Sequence, residues 1–301
     1  MKGRVLVTGA AGLIGHAVAM QLAAGGASVV AIDRQGGEID GLPVAECDIA
    51  DTHQLHALAR DGLDGVVHCA AYSGPMVARD SPYSIVQVNV LGTANLLELA
   101  RRHGTRRFVY ASSCAVYGSN ESELITESAP LAPENVYGAS KAAGELLVTA
   151  YGRQYGLEAV SIRLSWVYGP RRSTDCAVRT MIAGALAGQP VRLGYGADFH
   201  RQFIYVDDAA RALIAGLDAA ALPRASYNAS GGSRPTLAQV AGLVTALIPA
   251  ARIEIAPGAD PLDQRLGPLS TEAIARDLGY VPQVELADGL AAYAGWLARH
   301  P

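Results

Sequence analysis

Short apolar runs punctuate the first half of the chain, at residues 5–7, 28–33, 65–70, 107–112 and 159–164. They are nearly continuous and rich in β-branched residues, the pattern of strands covered on both faces. Longer stretches separate them. In residues 86–102 the apolar positions recur at intervals of three and four, the helical period. Strand and helix patterns in alternation predict the α/β class, with a doubly wound parallel sheet. Beyond residue 165 the pattern loosens, and Pro190, Pro223, Pro235 and Pro257 interrupt it. The expected division is a first domain over residues 1–165 and a smaller mixed α/β domain over 166–301. A segment around residues 203–230 is a candidate to return to the first domain. No repeat and no low-complexity tract is visible.

The first apolar run ends in Thr8-Gly9-Ala10-Ala11-Gly12-Leu13-Ile14-Gly15. Three glycines between a strand and a helix suit a tight turn, a close backbone approach to a pyrophosphate, and close packing of helix on strand. The helix start then offers free N–H groups and its positive dipole end to phosphates. Asp33 closes the next apolar run, at the spacing of a ribose-binding carboxylate. The sheet is therefore read as Rossmann-type and residues 1–165 as a dinucleotide-binding domain. Asp33 can accept from both ribose hydroxyls and would repel a 2′-phosphate, which favours NAD over NADP. Arg34 beside it could hold that phosphate and keeps NADP as the alternative. Asp48 could reach the adenine amino group, or be a surface turn carboxylate.

Tyr137 and Lys141, four apart, share one helix face. An ammonium beside a phenol favours the phenolate, so Tyr137 is expected to have a lowered pKa and to act as general base for an alcohol proton. Ser113, at the end of the run 107–112, could bind the same substrate oxygen. Alone, such a pair is commonly a solvated helix face. The preceding dinucleotide motif gives it weight.

Composition narrows the partners. A formal net charge of −4 over 301 residues offers no basic stripe to nucleic acid. No run is long and apolar enough to span a bilayer. The first strand starts within a few residues of the N-terminus, leaving no room for a signal peptide. Cys47, Cys69, Cys114 and Cys176 are scattered without metal-ligand spacing. The expectation is a cytoplasmic protein with reduced thiols, no metal, no membrane and no nucleic acid. His68, inside a strand, reads as a satisfied core histidine, His200 as a loop residue and His16 as a packing choice. Tyr293 and Trp296 read as the apolar face of a last docking helix.

The sequence resembles the extended branch of the short-chain dehydrogenase/reductase superfamily, the NAD-dependent sugar epimerases and dehydratases. The likeness rests on Thr8–Gly15, His68-Cys69-Ala70-Ala71, Asn89-Val90-Leu91-Gly92-Thr93 and Ser112-Ser113-Cys114-Ala115-Val116-Tyr117-Gly118. It continues in Tyr137-Gly138-Ala139-Ser140-Lys141, Val167-Tyr168-Gly169-Pro170-Arg171 and the stretch from Arg201 to Asp208. The resemblance implies that Ser113, Tyr137 and Lys141 form a catalytic triad, with Lys141 also holding the nicotinamide ribose. It implies a cofactor groove of Gly9, Gly12, Leu13, Ile14, Gly15, Asp33, Arg34, Asp48, Ile49, Ala70, Ala71, Asn89, Tyr137, Lys141 and Leu164. It further implies a homodimer formed through helices over residues 86–102 and 137–155.

Two departures bear on the reaction. Dehydratases of the branch place Asp-Glu after the catalytic Ser or Thr, to protonate and expel a hydroxyl, whereas this chain has Cys114-Ala115. Dehydration is therefore not expected. Many nucleotide-sugar epimerases have Asn before Val-Tyr-Gly-Pro, where this chain has Trp166. Arg201 and Arg265 match arginines that contact a diphosphate, and two guanidiniums in one cleft would suit phosphate or carboxylate. Surface or interdomain ion pairs are the other account of them. Ser73, Gly74, Ser113, Trp166, Arg179, Arg201 and Arg265 are the expected substrate contacts, the ligand being a sugar or nucleotide sugar. The leading expectation is epimerisation of a nucleotide sugar through a keto intermediate. The alternative is a net dehydrogenase or reductase of a free sugar, sugar acid or similar polar alcohol. A non-catalytic NAD-binding protein is a third reading.

Overall fold

Twelve strands and ten α-helices are assigned in the computed structural model, which describes residues 3–78, 80–174, 176–261 and 263–300. The strands are β1 (Arg4–Thr8), β2 (Ser28–Asp33), β3 (Gly37–Ile39), β4 (Leu42–Glu46), β5 (Gly65–His68), β6 (Arg107–Ser113), β7 (Glu158–Leu164), β8 (Trp166–Tyr168), β9 (Val191–Leu193), β10 (Phe203–Tyr205), β11 (Ser226–Ala229) and β12 (Ile253–Ile255). Eight of them form one sheet in the order β11-β7-β6-β5-β1-β2-β4-β3. Every neighbouring pair is parallel except the edge hairpin β3–β4. The chain runs outward from β1 in both directions, the doubly wound arrangement.

The helices are α1 (Leu13–Ala24), α2 (Thr52–Leu58), α3 (Pro82–Val86), α4 (Gly92–Arg102), α5 (Val136–Tyr155), α6 (Ala177–Leu186), α7 (Val206–Asp218), α8 (Leu237–Leu247), α9 (Glu272–Leu278) and α10 (Leu286–Arg299). The period-two alternation of strand side chains divides the core between the sheet's two faces. Leu6, Val66, Phe108 and Tyr110 point to one face, under α2, α4 and α5. Val5, Val7, Val67 and Val109 point to the other, under α1 and α7.

The second cluster continues without a break into the C-terminal part. It takes in Met181 and Ile182 of α6, Val240 and Val244 of α8, and Tyr293 and Leu297 of α10. The strands there form two small parallel pairs, β8 with β10 and β9 with β12. Helix α7 and strand β11 lie on the large sheet, with β11 beside β7. The two parts of the chain therefore share one core.

The helix expected over residues 86–102 differs in detail. It begins at Pro82, and between α3 and α4 lies a π-helical turn, Gln87–Leu91. This wider turn carries Asn89, whose amide accepts from the Tyr72 N–H at 2.8 Å and donates to the Tyr72 carbonyl at 3.1 Å. Asn89 also donates to Ser140 Oγ at 2.9 Å, tying the turn to α5. Such turns recur beside functional sites because they redirect one residue of a helix.

Candidate active site

The carboxyl ends of β1, β2, β5, β6 and β7 open onto a cavity of about 760 Å³. At one end lies the glycine loop. Gly9 has φ +71°, a conformation that favours glycine, and a Cβ there would press on the Ala70 backbone. A Cβ on Gly15 would strike the Gly9 carbonyl oxygen, so the first turn of α1 can seat only with glycine there. Gly12 is the N-cap and brings no side-chain cap. The first intrahelical bond runs from the His16 N–H to the Gly12 carbonyl, leaving the Leu13, Ile14 and Gly15 N–H groups ahead of it. The cradle fits a pyrophosphate.

Asp33 closes β2, and its carboxylate accepts from the Ala11 N–H at 3.1 Å, which steadies the loop. Arg34 donates to the Tyr72 hydroxyl at 3.3 Å and lies over its ring at 5.4 Å. Asp48 accepts from the Ala50 N–H at 2.9 Å, closing its own turn while lining the cavity. Ile49, Ala70, Ala71 and Leu164 line the same space.

At the other end, Ser113, Tyr137 and Lys141 line the wall together, with Ser73 and Gly74. Ser113 ends β6, where its hydroxyl accepts from the Ala115 N–H at 3.2 Å. Tyr137 and Lys141 project from the first turns of α5, whose N-cap Asn135 accepts from the Gly138 N–H at 2.8 Å. The Ser113 and Ser73 hydroxyls favour ionisation of the Tyr137 phenol. Burial outweighs them and raises the phenol above its usual range. This corrects the expectation of a lowered pKa. The Lys141 ammonium donates instead to the Ala111 carbonyl at 2.8 Å, and burial brings it down to about 8. Cys114, beside Ser113, is pushed up to about 12 by burial and is an inert thiol.

Behind this wall stands a buried ion pair, Glu145 with Arg163 at 2.7 Å. Glu145 lies one further turn along the helix face of Tyr137 and Lys141. It accepts from Ser112 Oγ at 2.5 Å, and Arg163 donates to the Tyr117 hydroxyl at 2.7 Å. His68 is held between Thr8 Oγ1 at 2.8 Å and Thr93 Oγ1 at 2.9 Å. Thr93 spends its proton on the Asn89 carbonyl, so His68 donates through Nε2. Burial pulls His68 down to about 3, and it stays neutral.

Four expected contacts lie elsewhere. Asn89 stands behind the Tyr72 loop rather than on the cavity wall. Arg201 is buried and bound to Asp260 at 2.7 Å and Asp263 at 2.6 Å, with the Trp166 ring 4.2 Å from its guanidinium carbon. Trp166 lines both the main cavity and a small neighbouring pocket, whereas Arg201 reaches only the latter. Arg265 is 61% exposed, 3.9 Å from Glu121. Arg179 is exposed because α6 buries Val178, Met181 and Ile182 on its other side. The residues that take these places are Arg172, Ser173, Thr174, Asp263, Gln264 and Ser165. Arg172 directly follows the Tyr168–Arg171 motif, and Asp263-Gln264 precede Arg265, so the sequence signal stood one or two positions away.

The profile of the NAD dependent epimerase/dehydratase family matches residues 5–230. The chain belongs to this family. Its relatives include the dTDP-glucose 4,6-dehydratase of Streptomyces griseus, 35% identical over 318 residues that cover 100% of this chain and 95% of that one. The UDP-glucose 4-epimerase of Mycolicibacterium smegmatis is 34% identical, covering 96% of each. Among solved structures, the Thermus thermophilus UDP-glucose 4-epimerase complex with NAD superimposes with a TM-score of 0.87 at 31% identity, over 97% of this chain and 98% of that one. The fold is thus that of the extended short-chain dehydrogenase/reductase enzymes, and NAD is the cofactor of the family. The glycine cradle and Asp33 fit it. No helix among the described residues is long and apolar enough to cross a membrane.

Proposed function

We propose that the chain oxidises and re-reduces a sugar carbinol, with epimerisation of a nucleotide sugar through a keto intermediate as the net reaction. The observation that carries this is the meeting of the Ser113, Ser73 and Tyr137 hydroxyls on the wall of a cavity whose far end is the glycine cradle. Gly9, Gly12, Gly15, Asp33, Lys141 and the α1 N–H groups would hold NAD. The chemistry that NAD supplies when bound is a hydride acceptor, then donor, for the carbinol carbon. Ser113 orients the reacting oxygen. Tyr137 must first release its own proton, which Ser113 and Ser73 favour and the positive charge of bound NAD would favour. As phenolate it takes the carbinol proton on oxidation and returns it on reduction, and Lys141 keeps positive charge beside this exchange. Incubation with UDP-sugars should yield a new isomer without net NADH. Sustained NADH growth without isomer would overturn epimerisation.

That outcome is the second reading, a net dehydrogenase of a free sugar or sugar acid. It is favoured by Arg201, whose charge is matched by two carboxylates and which Trp166 covers. Dehydration would require an acid beside Ser113, where Cys114 and Ala115 stand, despite the likeness to dehydratases. Release of a 4-keto-6-deoxy sugar from dTDP-glucose would contradict this. We assign the cytoplasm as its compartment and a homodimer, joined through α5 and the helix pair α3–α4, as its assembly.

A further inference from the structure

We infer that Arg172 is a carboxylate subsite beside Tyr137, so that the sugar acted on carries a carboxylate close to its reacting carbon. This rests on the reading of Ser113 and Tyr137 as the carbinol-binding pair.

Arg172, Ser165 and Gln264 line the cavity, and each keeps a buried polar atom without a hydrogen-bond partner: Arg172 Nε, Ser165 Oγ and Gln264 Oε1. Buried polar groups are nearly always paired, so three orphans on residues of one wall mark a place where a small side-chain shift would meet a polar ligand. A guanidinium edge, a hydroxyl and an amide oxygen match a carboxylate flanked by hydroxyls. Arg172 is fixed for the task. Its Nη1 donates to the Val167 carbonyl at 2.8 Å, and its guanidinium lies over Trp166 at 5.6 Å. Arg172 and Tyr137 line the same cavity.

Charge selects the ligand. Asp263 shares the cavity wall and repels anions, while Arg201 spends its charge on Asp260 and Asp263. Among the described residues, one guanidinium, that of Arg172, then remains for the substrate in this half of the cavity. It matches a singly charged carboxylate, which its planar fork can grip through two parallel bonds. A free sugar acid and a nucleotide-linked uronic acid share this chemistry.

The test pairs each acid with its neutral counterpart: D-galacturonate with D-galactose, and UDP-glucuronate with UDP-glucose. NADH and isomer formation are followed with wild type, Arg172→Gln and Arg172→Lys, and NAD binding by each variant reports folding. The acid of one pair should have a KM about 10- to 100-fold below its neutral partner. Arg172→Gln should erase that gap by raising KM for the acid but not for its neutral partner, any change in kcat falling on both members of a pair alike, and Arg172→Lys should fall between. Should the glutamine variant fail to bind NAD, the lysine variant carries the comparison. The pair that shows the gap tells free acid from nucleotide-linked acid. Equal KM values within both pairs, or an acid preference that survives both substitutions, would overturn the subsite alone. Wild type that binds NAD but transforms none of the four would overturn the carbinol reading, and the subsite with it.

Discussion

Tyr137 is held in a contest between burial, which keeps its proton on, and the hydroxyls of Ser113 and Ser73, which ease it off. Tyr137→Phe removes the exchangeable proton and leaves the ring packing intact. Turnover should fall about 10²- to 10⁴-fold, with NAD affinity changed by no more than a few-fold on titration. Unchanged turnover would refute the assignment of the proton carrier. Lys141 gives a pH signature. Its native value of about 8 lies below the ordinary lysine range, so the ammonium is lost as pH rises through about 8. The alkaline limb of kcat/KM should fall there, and a limb near 10 would exclude Lys141 as its source. Between these values the unfolded chain binds the proton that the native chain has released. Stability should therefore rise with pH across that window. Lys141→Met should abolish that rise. The spacing of Ser113, Tyr137 and Lys141 was legible because it is local. The arginines were not, since whether Arg201 is free depends on carboxylates about sixty residues away that fold against it.

Among elements, α5 bears the heaviest demand, because it presents Tyr137 and Lys141 on one face and packs on β6 and β7. Glu145 fixes its rotation through Arg163 on β7 and Ser112 on β6. Glu145→Ala leaves a buried guanidinium without its partner and should cost about 3–5 kcal/mol, read as a shift of the urea midpoint. A cost below about 1 kcal/mol would mean that water or Tyr117 can replace the carboxylate. The central strands were legible in the sequence because both of their faces are buried, which yields unbroken apolar runs. The hairpin β3–β4 was not. It is short and at the sheet edge, and most of its side chains are solvent-exposed, so no apolar run marks it. The π-helical turn was equally hidden, since a single widened turn leaves the apolar spacing on either side intact.

At the scale of the molecule, one core runs from the α1–α7 face of the sheet into the C-terminal helices. The weakened pattern after residue 165 reads as a boundary, but the apolar faces of α6, α8 and α10 close on that same core. What the core does not cover is also informative. Leu91, at the end of the π-helical turn, is 55% exposed, and Leu146 on α5 is 65% exposed. Exposed leucines on two packed helices suit a self-complementary interface. Wild type should sediment as a dimer and Leu146→Glu as a monomer, and a monomeric wild type would end the proposal.

The tip of the β3–β4 hairpin bridges helix α1 and the loop that follows β8. Asp40, in a left-handed conformation, accepts from Arg171 at 2.6 Å and sits 3.3 Å from His16 of α1. Arg171 is itself left-handed and immediately precedes Arg172. One carboxylate thus touches both helix α1, which follows the glycine loop, and the loop that leads into Arg172. Any free energy that cofactor lends to substrate through this contact, substrate must lend back to cofactor in equal measure. The hairpin that left no mark in the apolar pattern is where helix α1 and the loop before Arg172 meet on one carboxylate.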